Sequence, residues 1–261
     1  MDGIRADVVC PLRMSDKIIL KRIPGGAVME GCEHVVYHSP TGIEWGYGGS
    51  GPADCARSIL LHFIEPLLAE GVYQVFKEDV LVSMPHAGGE ISREQVDEWL
   101  VHRVRLVSDV LVRRISQLGL TLASAESCTG GSIGVALTSV PGCSHVFAGG
   151  IIAYTIDTKV KVLGLDRGQI ERFGVVSKQV ATHMASLARV KFCSDLAVAT
   201  TGVAGPSGGE DAPVGTVDIA VRSSEKLEHH RFHFTGDREA VQAKATVAAL
   251  RMVAGLLGDL G

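Results

Sequence analysis

Residues 121–139 read TLASAESCTGGSIGVALTS, and the change of texture within this stretch decides the fold. Residues 121–125 form a short, mostly apolar run of the kind that fills a buried strand. Glu126-Ser127-Cys128-Thr129-Gly130-Gly131 interrupts it, and 130–139 resumes with apolar residues at helical spacing. The same alternation continues downstream. Residues 150–155 read as a strand, and 157–163, 167–173 and 178–191 as helical pieces, the last with Ser177 as its N-cap. Residues 196–200 read as a buried strand, 202–213 as a Gly/Pro loop, 216–222 and 229–234 as a pair of strands, and 237–257 as a closing helix. Strands interleaved with helices imply an α/β fold, a three-layer α/β/α domain. The two adjacent late strands make its sheet mixed.

Upstream, Ser92 with Gln95 three residues on has the form of a capping box. Val96, Trp99, Leu100, Val104, Val107, Leu111, Ile115 and Leu118 extend an apolar stripe at spacings of three and four, so one long helix is expected over 92–119. The domain boundary is placed inside it, dividing the chain into 1–103, a small α+β domain, and 104–261. In the first part 16–23 and 34–38 read as strands. A helix is expected over 53–70, ended by Gly71, then strand-like stretches over 72–83 and a break from Pro85 to Gly89.

Composition narrows the class. The 261 residues are 46% hydrophobic and 21% charged, with 25 basic against 29 acidic residues and a net charge of −4. That balance argues against broad binding of nucleic acid. Cys10, Cys32, Cys55, Cys128, Cys143 and Cys193 form no CxxC pair and no zinc spacing, which suits reduced thiols in the cytoplasm. The N-terminal stretch MDGIRADVVCPLRM lacks the pattern of a secretory signal. No apolar run reaches the roughly 18 residues that suggest a membrane span.

Four segments carry candidate chemistry. Ser127 sits where a strand turns into a helix, beside backbone N–H groups and a dipole that favour negative charge; the plain alternative is that Ser127 or Thr129 caps the helix. Lys159, five residues after Tyr154, serves as a base only if burial keeps it neutral, whereas most lysines are solvated. Thr200-Thr201-Gly202-Val203-Ala204-Gly205-Pro206-Ser207-Gly208-Gly209 follows an apolar strand, at the strand end where open α/β sheets bind ligands, or forms a surface turn. Asp237 fits an N-cap, and Arg238 beside it offers a planar fork to phosphate or carboxylate. His229, His230 and His233 suggest a metal tract, but no further ligand type accompanies them, and a solvated edge strand accounts for them.

AESCTGG (125–131), AYTIDTK (153–159), GVVS (174–177), TGVAGPSGG (201–209), PVGT (213–216) and GDREAV (236–241), in this order, resemble the CinA C-terminal domain family, whose active members are nicotinamide-nucleotide amidases. The resemblance runs from about Val107 to Leu257. It implies a catalytic pair, Ser127 as nucleophile and Lys159 as base, with Tyr154 in support. It also implies Thr129, Gly130, Gly131, Thr201, Gly202 and Arg238 around the substrate, nicotinamide mononucleotide. No cofactor, metal, membrane or nucleic acid is called for, and a homodimer is compatible. Amides around Cys128 to Gly131 are the expected oxyanion donors, and Arg238 is a candidate cation to lower the lysine pKa. Two departures stand out: Ile156 where many members carry Asn, and Gly149 where an arginine is often found. The rivals are Cys128 as nucleophile, acidified at a helix start, and a non-catalytic, competence-associated module. HSPTGIEWGYGGSGPADCARSIL (38–60) resembles a small domain of unknown function from phage and bacterial proteins. Residues 1–100 do not resemble the molybdopterin-binding-like domain of longer relatives.

Overall fold

The computed structural model describes residues 15–39, 42–208 and 212–258; Cys10, the rest of the N-terminal stretch read for a signal, and Gly209 lie outside them. By contact the chain forms two units, Met1–Phe63 with Tyr73–Arg93, and Ile64–Val72 with Glu94–Gly261.

The first unit holds β1 (Lys17–Ile23) and β2 (Gly26–Glu30), the helix α1 (Ser50–Phe63), the end of α2 (Pro66–Phe76), a π-helical turn over Lys77–Leu81, and β3 (Gly88–Ser92). The strand order is β2-β1-β3, antiparallel throughout. Alternation along β1 buries Ile18 and Leu20. Residues 34–38, expected as a strand, are not one. The amides of Tyr37, His38 and Ser39 instead donate to the carboxylate of Asp54 on α1, at 2.9, 2.7 and 2.9 Å. That carboxylate is fully buried, and it takes up the donors a sheet ladder would need.

The expected single helix over 53–70 is two helices, because the chain breaks before Pro66, which has no N–H to continue a helix and suits a first turn. Gly71 does not end the second. It lies inside α2, where a Cβ would sit 2.4 Å from Val110 Cγ2, so the missing side chain lets two helices approach closely. Residues 72–81 of the expected strand-like stretch over 72–83 likewise continue as helix, with Val72 and Phe76 buried one turn apart.

The second unit begins with α3 (Arg93–His102) and α4 (Val104–Gln117). The long helix read over 92–119 is therefore divided at Arg103, whose φ of −118° and ψ of 24° leave the helical region. Then follow β4 (Leu122–Glu126), α5 (Ser132–Thr138), β5 (Phe147–Ile152), a single turn α6 (Ile156–Thr158) running into a π-helical turn over Lys159–Leu163, α7 (Arg167–Phe173), α8 (Lys178–Lys191), β6 (Leu196–Gly202), β7 (Thr216–Arg222), β8 (Leu227–His233) and α9 (Arg238–Gly258). The sheet order is β5-β4-β6-β7-β8. β5, β4 and β6 run parallel, and β7 and β8 are antiparallel, giving the mixed sheet expected. On one face Ala125, Ala197 and Ala199 pack against Val180, Met184 and Ala188 of α8; α4, α5 and α9 cover the other. By length and composition α9 could span a bilayer, although no single apolar run in the sequence suggests it. Here Val241, Leu250, Val253 and Leu257 are buried in the core.

Candidate active site

Ser127 stands one residue past β4, and its amide donates to Thr200 O at 3.0 Å, extending the parallel pairing by one step. The chain then turns through Gly130 (φ 63°) and Gly131 (φ 104°), left-handed conformations that glycine adopts without strain. What fixes this turn is Glu126, a residue the sequence reading passed over. Its buried carboxylate accepts the amides of Gly131, Ile133 and Gly134 at 3.0, 3.1 and 2.9 Å, and the Thr129 hydroxyl at 2.8 Å. The cap of α5 is thus neither Ser127 nor Thr129 but a carboxylate from the strand before it. A signal was present: an acidic side chain ending an apolar strand, directly before a glycine turn and a helix.

Lys159 arrives from the far side. Thr155 accepts the Thr158 amide at 3.1 Å and starts the turn. The helix then widens into its π-helical turn at Lys159, a local irregularity common at functional positions. Lys159 is 1% exposed. Its Nζ lies 2.7 Å from Ser127 Oγ and donates to Ala153 O at 2.7 Å. Burial lowers its pKa from 10.5 to about 8, opposed by the nearby Cys128 thiol. The expected contribution of a neighbouring cation is not what does this. Arg238 is engaged elsewhere, donating to Gly205 O at 2.6 Å and to the Tyr154 hydroxyl. Burial pushes the Cys128 thiol up to about 12. A thiol so raised is protonated at neutral pH, because burial outweighs the amides of Cys128 and Thr129 that lower it, contrary to the rival reading.

A cavity of about 360 Å³ opens here, lined among others by Ser127, Tyr154, Lys159, Thr201, Gly202 and Arg238. Thr129, Gly130 and Gly131, grouped with these from the sequence, do not line it. Thr129 is buried, between Glu126 and Thr200, whose hydroxyl is 2.8 Å away. The Thr201 hydroxyl also turns inward, donating to Val175 O at 2.8 Å. Val175, Val176 and Ile156 complete an apolar side of the cavity that the motifs did not reveal. The amides assigned to an oxyanion are largely occupied, since Gly130 donates to Ser127 O at 3.0 Å and Gly131 to Glu126 at 3.0 Å. Those of Cys128 and Thr129 face the Cys128 thiol. Gly149 tolerates no side chain, because a Cβ would lie 2.6 Å from the Phe192 ring at a φ of 139°. Among the described residues no group of side chains that could hold a metal gathers around His229; it lies 2.7 Å from the buried Asp218.

A mixed-sheet α/β domain with a buried serine–lysine contact at the carboxyl ends of its parallel strands defines the class of this protein. The CinA C-terminal domain model matches residues 105–257, and the chain belongs to that family. Residues 15–102 match a family of unknown function, DUF6166. A CinA-like protein of Flavobacterium psychrophilum is 43% identical over 145 residues, 55% of this chain and 35% of that protein. A putative competence-damage inducible protein of Desulforamulus reducens is 40% identical over 146 residues, 56% and 36% of the two chains. The chain thus spans about a third of the length of these curated relatives. Among solved structures, a competence-damaged protein (CinA) superfamily protein from Escherichia coli aligns with a TM-score of 0.57 and 34% identity, over 59% of this chain and 90% of that one. The competence/damage inducible protein CihA from Agrobacterium tumefaciens gives 0.57 and 35%, over 59% and 94%.

Proposed function

We propose that this chain hydrolyses the carboxamide of nicotinamide mononucleotide to nicotinate mononucleotide and ammonia. The observation that carries the reading is the buried Lys159 amine 2.7 Å from Ser127 Oγ, with a pKa low enough for a neutral fraction near pH 7. The choice of substrate rests on the family resemblance. Neutral Lys159 takes the Ser127 proton as Oγ attacks the carboxamide carbon. Lys159 then returns a proton to the departing nitrogen, and ammonia leaves from an acyl-enzyme. Water, deprotonated by the same amine, hydrolyses the ester and restores Ser127. The Ala153 carbonyl orients the amine through both steps.

The oxyanion needs a donor other than the start of α5. Val203 donates to Thr216 of β7 at 2.9 Å, so by strand alternation the amide of Gly202 faces the β4 side, where Ser127 sits. Gly202 is the donor in line for it. A Cβ at this position would meet Thr216 O at 2.5 Å, so glycine alone fits. Arg238, tied to Tyr154, offers a charge to the polar part of the substrate. Free thiols at the described cysteines suit a cytoplasmic setting.

The test is ammonia release from nicotinamide mononucleotide by the purified full chain. Release that depends on Ser127 supports the amidase. Binding of the nucleotide without release would instead favour a non-catalytic module.

A further inference from the structure

Three polar side chains form one transverse row across the last three strands of the sheet. Thr201 on β6 is the cross-strand partner of Asp218 on β7, and Asp218 is the partner of Arg231 on β8. Residues directly opposite one another in a sheet project from the same face. The two ends of this row reach the same short segment. Thr201 Oγ1 donates to Val175 O at 2.8 Å, and Arg231 Nη2 donates to Val176 O at 3.2 Å. Between them, Asp218 is fully buried. Its Oδ2 accepts Arg231 Nη2 at 2.7 Å, and its Oδ1 accepts Nε at 3.0 Å. His229 Nε2 lies 2.7 Å from Oδ1 on the same face. Val175 and Val176, the segment so held, line the cavity that contains Ser127 and Lys159.

We infer that Arg231, clamped by Asp218, is a positioning residue that fixes the Val175–Val176 wall and thereby the fit of the substrate's non-reacting part. A buried carboxylate needs a partner, and any cation would serve that need. The guanidinium does more, since its planar fork pairs with Asp218 and still has a donor for Val176 O. Lysine offers a point charge that can neutralise Asp218 without spanning both acceptors. The row's ends hydrogen-bond to Val175 and Val176 and not to Ser127 or Lys159, so loss of the Arg231 end should be felt in binding rather than in the chemical step.

The kinetic part of this inference rests on the amidase reading; the structural part does not. His229 still faces Asp218 in both variants, and far-UV circular dichroism of Arg231→Ala and Arg231→Lys matching wild type establishes that they fold before the comparison is made. The measurements are amide hydrogen exchange over residues 174–177, and KM and kcat for nicotinamide mononucleotide, on the full chain. Both variants should exchange faster over 174–177 than wild type. Both should raise KM about tenfold, the size of one hydrogen bond from a charged donor, with kcat within about twofold. If Arg231→Lys restores wild-type exchange and KM, the arginine merely neutralises Asp218 and the inference is overturned. Unchanged exchange in Arg231→Ala overturns it too. A wild-type protein that binds but does not turn over the nucleotide tells against the amidase reading alone. The exchange data then decide, with faster exchange in both variants upholding the tether and unchanged exchange rejecting it.

Discussion

Lys159 serves two opposed ends. In the proposed reaction its burial makes it a usable base near neutral pH, and the same burial penalises its charged form in the folded protein. With a pKa of about 8, the neutral fraction grows as pH rises to 8 and beyond. Accordingly kcat/KM for nicotinamide mononucleotide should climb through pH 8 and level off above it. Lys159→Arg should be nearly inactive across pH 5.5–9.5, because arginine stays protonated there; substantial turnover with an unchanged profile would remove Lys159 from the role of base. The stability consequence follows from the same shift. A lysine whose folded pKa is depressed destabilises the fold fully below about 8, and the penalty is relieved as pH rises toward the ordinary 10.5. That penalty is about 3 kcal/mol. Lys159→Met should therefore raise the Tm at pH 7, with the loss of the bond to Ala153 O offsetting part of the gain, and the difference from wild type should shrink by pH 10. At the neighbouring position, Ser127→Ala should abolish deamidation, whereas Cys128→Ala should keep most of it, since a thiol raised to about 12 contributes little thiolate.

At the scale of elements, the turn from β4 to α5 is set by Glu126 rather than by the residues that stand out in the motif. One carboxylate accepts three amides of the helix start and the Thr129 hydroxyl. Glu126→Gln puts an amide nitrogen against donors that need an acceptor, a conflict of about 1–3 kcal/mol. The expected outcome is a lower Tm and, on the proposed amidase reading, a kcat reduced at least about tenfold with little change in KM, because the displaced group would be the proposed nucleophile and not the substrate wall. A fully active, equally stable variant would show that the glycines hold the turn unaided. The same element shows what the motif alone could convey. ESCTGG marked a strand-to-helix turn correctly, but the direction in which each amide points was not written in it.

At the scale of the molecule, the boundary of the second unit lies upstream of the family match, which begins at residue 105. Arg251 of α9 pairs with Glu65 at 3.0 Å and with Asp97 at 2.6 Å, and Gly71 packs against Val110. A chain cut to residues 104–261 loses Glu65 and Asp97 as partners of Arg251 and Gly71 as the neighbour of Val110. It should unfold at a lower temperature than the full chain by several degrees, because the ion pairs of Arg251 and the packing of Gly71 against Val110 are lost together. It should still release ammonia below its Tm, since every residue around the Ser127 cavity is retained. An unchanged Tm would mean that these ion pairs are replaced by solvent at no cost.

The sequence by itself determined the local and periodic features: the mixed α/β sheet, the Ser177 cap of α8, the strand pair over 216–233, and the segments that carry Ser127, Lys159, Thr201 and Arg238. These are written in short-range patterns, because spacing fixes which face of an element is apolar. Only the tertiary structure decided which polar groups meet. Asp54 holding the amides of residues 37–39, Gly71 leaving room for Val110, and the row Thr201–Asp218–Arg231 behind Val175 and Val176 all depend on partners distant in the chain, whereas the break at Pro66 and the Glu126 cap of α5 are set by near neighbours. No local pattern encodes a hydrogen bond whose two ends are brought together by packing, and burial of the lysine amine, which makes it a candidate base, is a property of the whole fold.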